Sequence, residues 1–251
     1  MTRIEIDGHQ ATTETLAHPA TSTTGNFTAM QVRNGKVRGL DLHLARLRAA
    51  TSEIFAQDLD DTLVRTHIRH ALNDITNASL RVYVFQPHDA LSIMITTTDP
   101  AEPKQTPQRL RTVPYTRPFP HLKHLGGFAQ THYTKLAQNE GYDDALLVTP
   151  DGLITEGTTT NIGFFEEETA IWPDAPVLLG ITMQLINSAL TTPPRLAEIH
   201  IEDLPRFDSA FLTNSRGIVP VSSIDNIDFP VDPTHLKQLA DAYDSVPWEK
   251  P

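Results

Sequence analysis

The sequence predicts an α/β chain in two lobes, a small N-terminal α/β lobe and a larger, strand-rich C-terminal one. Three observations carry this. In the first hundred residues, two stretches with helical spacing of apolar residues lie between strand-like pairs. The proline-rich segment "TTDPAEPKQTPQ" then interrupts both patterns. Beyond it, short apolar runs parted by turn residues outnumber helices. The expected division is a small lobe over 1–100, a linker over 101–108 and a large lobe over 109–251.

Taken in order, "IEIDG" reads as a short strand and a turn, and the Thr-rich "ATTETLAHPATSTTG", with no apolar period, reads as a loop. "NFTAMQV" alternates like a strand. Asn34-Gly35 is the pair a tight hairpin turn favours, so "VRGL" is expected to be the return strand. Asp41 is a fair cap for the helix "LHLARLRAATSEIF", whose Leu44, Leu47, Ala50 and Ile54 share a face. A second helix, "DDTLVRTHIRHALNDI", has Leu63, Ile68, Leu72 and Ile75 in phase. "SLRVYVF" and "LSIMITT" follow as strands. In the second half "RLRTV" is a strand, a helix runs from about Phe128 to Asn139, and "ALLVT", "LITEG", "NIGFF" and "TAIW" form a meander. A helix begins near Gly180, strands are expected at "AEIHI", "AFLTN" and "GIVPV", and "PTHLKQLADAY" is the last helix.

The totals exclude several classes. Hydrophobic residues make up 39% and charged residues 20%, ordinary for a globular protein. No apolar run approaches the roughly 20 residues that span a bilayer. The start "MTRIEIDGHQATTET" lacks the apolar core of a signal peptide, so a cytoplasmic location is expected. With no cysteine there is neither a disulfide frame nor a thiolate metal site. Thirty-one acidic residues against 20 basic ones give a formal charge of -11, which repels nucleic acid and anionic lipid. An anionic ligand would need its few positive groups placed locally.

The common nucleotide-binding loops, the G-x-S-x-G elbow and H-E-x-x-H are all missing. His121, His124 and His132 are too loosely spaced for a zinc site, and no metal is expected. Lysine is more informative. Of the six in the chain, five sit in a turn, the linker, polar helical stretches or the tail. Lys123 lies between Leu122 and Leu125, beside Gly126 and Gly127, in a short passage between a strand and a helix. A lysine that loses solvation there gains nucleophilicity; an ordinary exposed lysine is the plainer reading. Further on, "LITEGTTTNIGFF" sets Glu156 at a strand end before three threonines, which suggests a ligand lying on the backbone or simply a turn with local hydrogen bonds. "LLGITMQLI" opens a helix whose first N–H groups and Thr182 hydroxyl could seat a phosphate. Arg46, in "DLHLARL", stands just off the buried helix face.

Together these stretches resemble the class IV aminotransferase family, the fold type IV pyridoxal-phosphate enzymes. It includes branched-chain and D-amino-acid aminotransferases and aminodeoxychorismate lyase. "FTAMQVRNGKVRGLDLHLARL", "LKHLGG", "GYDDALLVTPDGLITEGTTTNIGFF", "LLGIT" and "LTNSRGIVPV" run in the family's order from Gly25 to about Val221. The resemblance implies pyridoxal 5'-phosphate as cofactor, with Lys123 as the lysine that carries it and moves the substrate proton. It places Glu156 beside the pyridine nitrogen, Arg46, Ile181 and Thr182 on the phosphate, the last two through backbone and hydroxyl, and Asn214 and Ser215 on a second phosphate-side loop. Thr159 matches the position against the ring face and Asn161 a motif position nearby. Phe27 and Arg81 fall at substrate-facing positions. Phe128 stands where branched-chain enzymes carry a tyrosine for the cofactor phenolate, so that contact must come from elsewhere or be absent. Met183 replaces an arginine common after "GIT".

The implied activity is transfer of an amino group from an amino acid or small amine to a keto acid, by a homodimer with small-molecule partners only. Aminodeoxychorismate lyase, which eliminates pyruvate and leaves 4-aminobenzoate, is the rival enzyme, since "IEIDGH", "NFTAMQVRNGKV" and "KHL" resemble its pattern. The rival of another class is a non-catalytic pyridoxal-phosphate-binding protein.

Overall fold

The computed structural model describes residues 2–251. They pack as two compact units: residues 2–101 with 122–126 and 247–251, and residues 102–121 with 127–246.

The first unit contains β1 (Arg3–Ile6), β2 (His9–Gln10), α1 (Thr13–Thr21), β3 (Asn26–Val32), α2 (Leu40–Phe55), α3 (Asp61–Leu72), β4 (Ala78–Phe85) and β5 (Ser92–Thr98). Its antiparallel sheet has the order β2-β1-β5-β4-β3. Strict alternation along β3 buries Asn26, Thr28, Met30 and Val32 and turns Phe27, Ala29 and Gln31 to the other face. The buried face joins Leu40, Leu44 and Leu47 of α2 with Val64, Ile68 and Leu72 of α3 in one apolar core.

Four details differ from the sequence expectation. Residues 13–21 are helical, with a reciprocal Thr12–Thr15 capping box; none is buried, so there is no apolar period to read. The cap of α2 is Gly39, not Asp41, which lies in the first turn. On α3 it is Val64 that is buried, while Leu63 is 45% exposed. "VRGL" makes no return strand: after the Asn34-Gly35 turn, Val37 exchanges two backbone hydrogen bonds with Glu249, both 2.9 Å. The Glu249 side chain also accepts from Leu40 N (2.8 Å), capping α2 where Gly39 cannot.

The second unit contains β6 (Gln108–Pro114), α4 (Phe128–Asn139), β7 (Asp144–Val148), β8 (Ile154–Gly157), β9 (Asn161–Glu166), β10 (Thr169–Pro173), α5 (Ile181–Ala189), β11 (Arg195–Ala197), β12 (Ser209–Asn214), β13 (Gly217–Ile224), β14 (Ile227–Asp228) and α6 (Pro233–Ser245). "AEIHI" is only partly a strand; a 3-10 turn takes over at Ile201–Arg206. The mixed sheet runs β11-β10-β9-β12-β13-β6-β7-β8, with β14 beside β13. One apolar core lies around Leu110, Leu146, Phe164 and Val221, and a second around Phe165, Trp172, Phe211 and Leu239, where α5 and α6 contribute. Nearly every residue of β7, β8 and β9 is buried, which explains why "ALLV" in β7 and "IGFF" in β9 are continuous apolar runs rather than alternating ones.

Candidate active site

Lys123 lies in the segment 122–126, which belongs to the first unit although the chain on either side of it, 102–121 and 127–246, belongs to the second. Two backbone bonds tie its segment to the start of β3: Phe27 N donates to Lys123 O (2.9 Å) and Leu125 N to Gly25 O (3.0 Å). Lys123 Nζ lies 4.8 Å from the centroid of Phe27, whose ring stacks on Tyr83 at 5.5 Å. Arg81, one rung along β4 and exposed, donates to Tyr83 Oη at 3.4 Å.

Arg46 is on α2, one turn after His43, so both side chains reach the buried face of β3. Arg46 Nη2 donates to Thr28 Oγ1 (2.5 Å), and Thr28 Oγ1 lies 2.6 Å from His43 Nδ1. No carboxylate pairs with Arg46 among the described residues, and its Nε is buried without a partner. Desolvation alone pushes its pKa down to about 10. His43 is held well below its usual pKa, first by burial, then by the charges of Arg46 and Lys123. A half-buried guanidinium with an open donor and no counter-charge is unfavourable by itself and favourable beside an anion.

In the second unit Glu156 is buried, as is Arg117, whose Nη1 donates to Glu156 Oε1 at 3.0 Å. Glu156 Oε2 accepts from Leu178 N (3.3 Å), and Asn161 Nδ2 donates to Leu178 O (2.7 Å). Glu156 and Asn161 thus clamp the segment that leads into α5. Ile181 and Thr182 form the first turn of α5, whose cap, Gly180, offers no side chain. Thr182 Oγ1 donates to Asn214 O (2.8 Å). Thr182 thus brings both a hydroxyl and a first-turn backbone N–H to the start of α5. Asn214 Oδ1 accepts from Arg216 N (2.8 Å), shaping the turn that holds Ser215. Thr159 and Asn214 line a cavity of about 360 Å³, with Thr158, Thr160, Lys135 and Arg216 also on its wall. Asp144 supports this wall, accepting from Thr134 Oγ1 (2.8 Å) and Thr158 Oγ1 (2.7 Å). Phe128 is 81% exposed and stacks on His132, with no hydroxyl to offer.

The residues therefore form two sets. Lys123, Arg46, Phe27 and Arg81 are carried by the first unit, and Glu156, Thr159, Asn161, Ile181, Thr182, Asn214 and Ser215 by the second. Sequence reasoning singled out neither Arg117 nor the Thr28–His43 pair. His43 stands three residues before Arg46 in "DLHLARL", the one local signal that could have marked it.

A two-lobed α/β fold that carries a desolvated guanidinium, Arg46, with no carboxylate paired to it, and a buried carboxylate, Glu156, has the groups to hold an anionic cofactor. The amino-transferase class IV family matches residues 25–224, and the chain belongs to that family. It is an enzyme of that class, and its cofactor is pyridoxal 5'-phosphate. Among its relatives, the "Probable branched-chain-amino-acid aminotransferase" of Rickettsia bellii (strain RML369-C) is 27% identical over 242 residues, covering 87% of this chain and 83% of the relative. A hypothetical aminotransferase from Mycobacterium tuberculosis, in a PLP-bound form, has a TM-score of 0.83 at 17% identity, covering 97% of this chain and 98% of that one. A structure from Legionella pneumophila, named conjecturally as a 4-amino-4-deoxychorismate lyase, has a TM-score of 0.80 at 21% identity over 88% of this chain and 91% of that one. These two likenesses show the fold.

Proposed function

We propose that the chain transfers an amino group from an amino acid or small amine to a keto acid, with Lys123 as the residue that binds the cofactor covalently and moves the proton. The observation that carries this is the pinning of the Lys123 segment to β3, in the same unit as Arg46. When bound, the cofactor supplies an aldehyde for the substrate amine and a ring that takes up the electron pair left by the departing α-proton.

The remaining chemistry belongs to the chain. Arg46 and the first N–H groups of α5, at Ile181 and Thr182, are assigned to the phosphate, with the Asn214–Ser215 turn beside them. The Glu156 carboxylate is assigned to the ring nitrogen, to hold the proton there; Arg117 fixes that carboxylate in place through their 3.0 Å ion pair. Thr159 packs against the ring and Asn161 holds the segment before α5. Lys123 Nζ takes the α-proton and returns it one carbon away, a task for an amine that is both nucleophile and base. Phe27 forms an apolar wall beside Nζ, and Arg81 is assigned to a substrate carboxylate. A homodimer located in the cytoplasm completes the reading. Within the chain we divide a small lobe over 1–100 from a cofactor-binding lobe over 109–251, joined by 101–108, although 122–126 and 247–251 pack with the first unit.

Reduction of the cofactor-loaded protein with borohydride, followed by peptide mapping, is expected to fix the label on Lys123, and Lys123→Ala is expected to abolish both label and turnover. A panel of amino donors, in both enantiomers, with several keto acids then reads the substrate. The lyase reading rests on the stretches "NFTAMQVRNGKV" and "KHL". Release of pyruvate from aminodeoxychorismate, without amino transfer to any keto acid, would establish it instead. Binding of the cofactor with turnover of neither would mark a carrier.

A further inference from the structure

Thr28 is fully buried, and its hydroxyl makes two contacts, to Arg46 Nη2 at 2.5 Å and to His43 Nδ1 at 2.6 Å. A guanidinium only donates, so Thr28 Oγ1 is the acceptor toward Arg46. The hydroxyl still carries one proton. It has no other hydrogen-bond acceptor, and a buried donor left without one is costly. The proton therefore goes to His43 Nδ1, which must be an unprotonated acceptor with the ring proton on Nε2. The order Arg46 to Thr28 to His43 is a chain of donations that runs one way only. It works only while the imidazole is neutral, and burial beside Arg46 and Lys123 keeps it so.

A hydroxyl at this position has a second consequence. A carboxylate in place of Thr28 would hold Arg46 equally well but would cancel its charge. Thr28 orients the guanidinium and leaves the whole charge for an incoming anion.

We infer that Thr28 and His43 are positioning residues for Arg46: they aim an uncompensated guanidinium at a phosphate group, with His43 serving as a neutral, Nε2-protonated acceptor. This rests on the assignment of Arg46 to the cofactor phosphate.

The test uses the full-length chain stripped of cofactor, with inorganic phosphate as the probe and the thermal midpoint as the readout. Phosphate is expected to raise the midpoint of the natural protein, and Arg46→Met to lose that response. Thr28→Val, close in shape to threonine, is expected to weaken the apparent phosphate affinity about tenfold, the loss of one oriented charge-assisted bond. Thr28→Ser is expected to restore it. His43→Asn, which sets an amide oxygen near the place of Nδ1, should retain most of the response, whereas His43→Leu should lose it. Independently, a nitrogen NMR spectrum of the labelled histidines should show Nδ1 of His43 unprotonated at neutral pH. If phosphate leaves the natural protein unmoved, the assignment of Arg46 fails and this inference with it. If the natural protein responds and Arg46→Met does not, yet Thr28→Val and His43→Leu respond fully, the inference alone is overturned. A protonated Nδ1 would overturn it as well.

Discussion

Gly25 is the point where β3 meets the Lys123 segment, and replacing it with alanine tests how the site is held. Its φ is +154°, a conformation that side chains rarely adopt. A Cβ there would lie 2.6 Å from Val84 O and 2.9 Å from Leu125 Cδ1. The leucine could turn aside, but the carbonyl belongs to β4, paired with β3 in the register Asn26↔Val84, and cannot retreat without breaking the sheet. Overpacking of this kind costs about 1–3 kcal/mol and the backbone strain about as much again, so a loss of roughly 2–6 kcal/mol is expected. Relief can come only by moving residue 25, which drags Leu125 through their hydrogen bond and displaces Lys123. Urea unfolding of Gly25→Ala should show the loss, and borohydride labelling of Lys123 should fall with it. Gly35→Ala is the control: its φ is +69°, but no atom lies within 4 Å of the added carbon. It should cost only about 1 kcal/mol and leave labelling intact. A Gly25→Ala protein within 1 kcal/mol of the natural one and fully labelled at Lys123 would refute the reasoning.

Glu249→Ala removes the carboxylate that caps α2 and should cost about 1 kcal/mol in urea unfolding; an unchanged midpoint would show that the contact contributes nothing. Arg117→Met takes the guanidinium from a buried carboxylate and is expected to cost about 3 kcal/mol, and markedly less in a Glu156→Gln background; equal costs would deny the coupling. The lowered pKa of His43 gives a sign for pH. Below about 6.5 the unfolded chain binds a proton at this residue that the folded chain refuses, so stability declines as pH falls through that value toward the depressed folded pKa. Arg46 and Lys123 face His43 there, and Arg46, at about 10, stays charged across this range. The natural protein should therefore lose more stability between about pH 7 and pH 5 than His43→Asn, and parallel losses would contradict the assignment.

Elements that bury one face could be read in the sequence, because burial imposes a period: β3, α2 and α5 stand close to where the apolar spacing sets them. α1 could not, since it buries nothing and its N-terminal capping box is made of threonines, which also signal loops. The partner of Val37 lies more than two hundred residues away at Glu249, and no local pattern announces such a pairing. At the site, residues with unusual chemistry in unusual surroundings stood out, Lys123 foremost. Their supports did not. Arg117 sits in "YTRPFPHLK" with no period or motif to mark it, and its bond to Glu156 exists only once β8 and that loop are folded. Thr28 reads as any strand threonine until α2 lays His43 and Arg46 against it.

The five residues 122–126 have a practical meaning for anyone who recombines relatives of this enzyme. A chimera cut at a single seam near residue 101 would appear to exchange whole lobes, yet it would take Lys123 from one parent and the strand that pins it from the other. Lys123 travels by sequence with the large lobe and by hydrogen bonding with the small one. A working hybrid must therefore inherit the pentapeptide and β3 from the same parent.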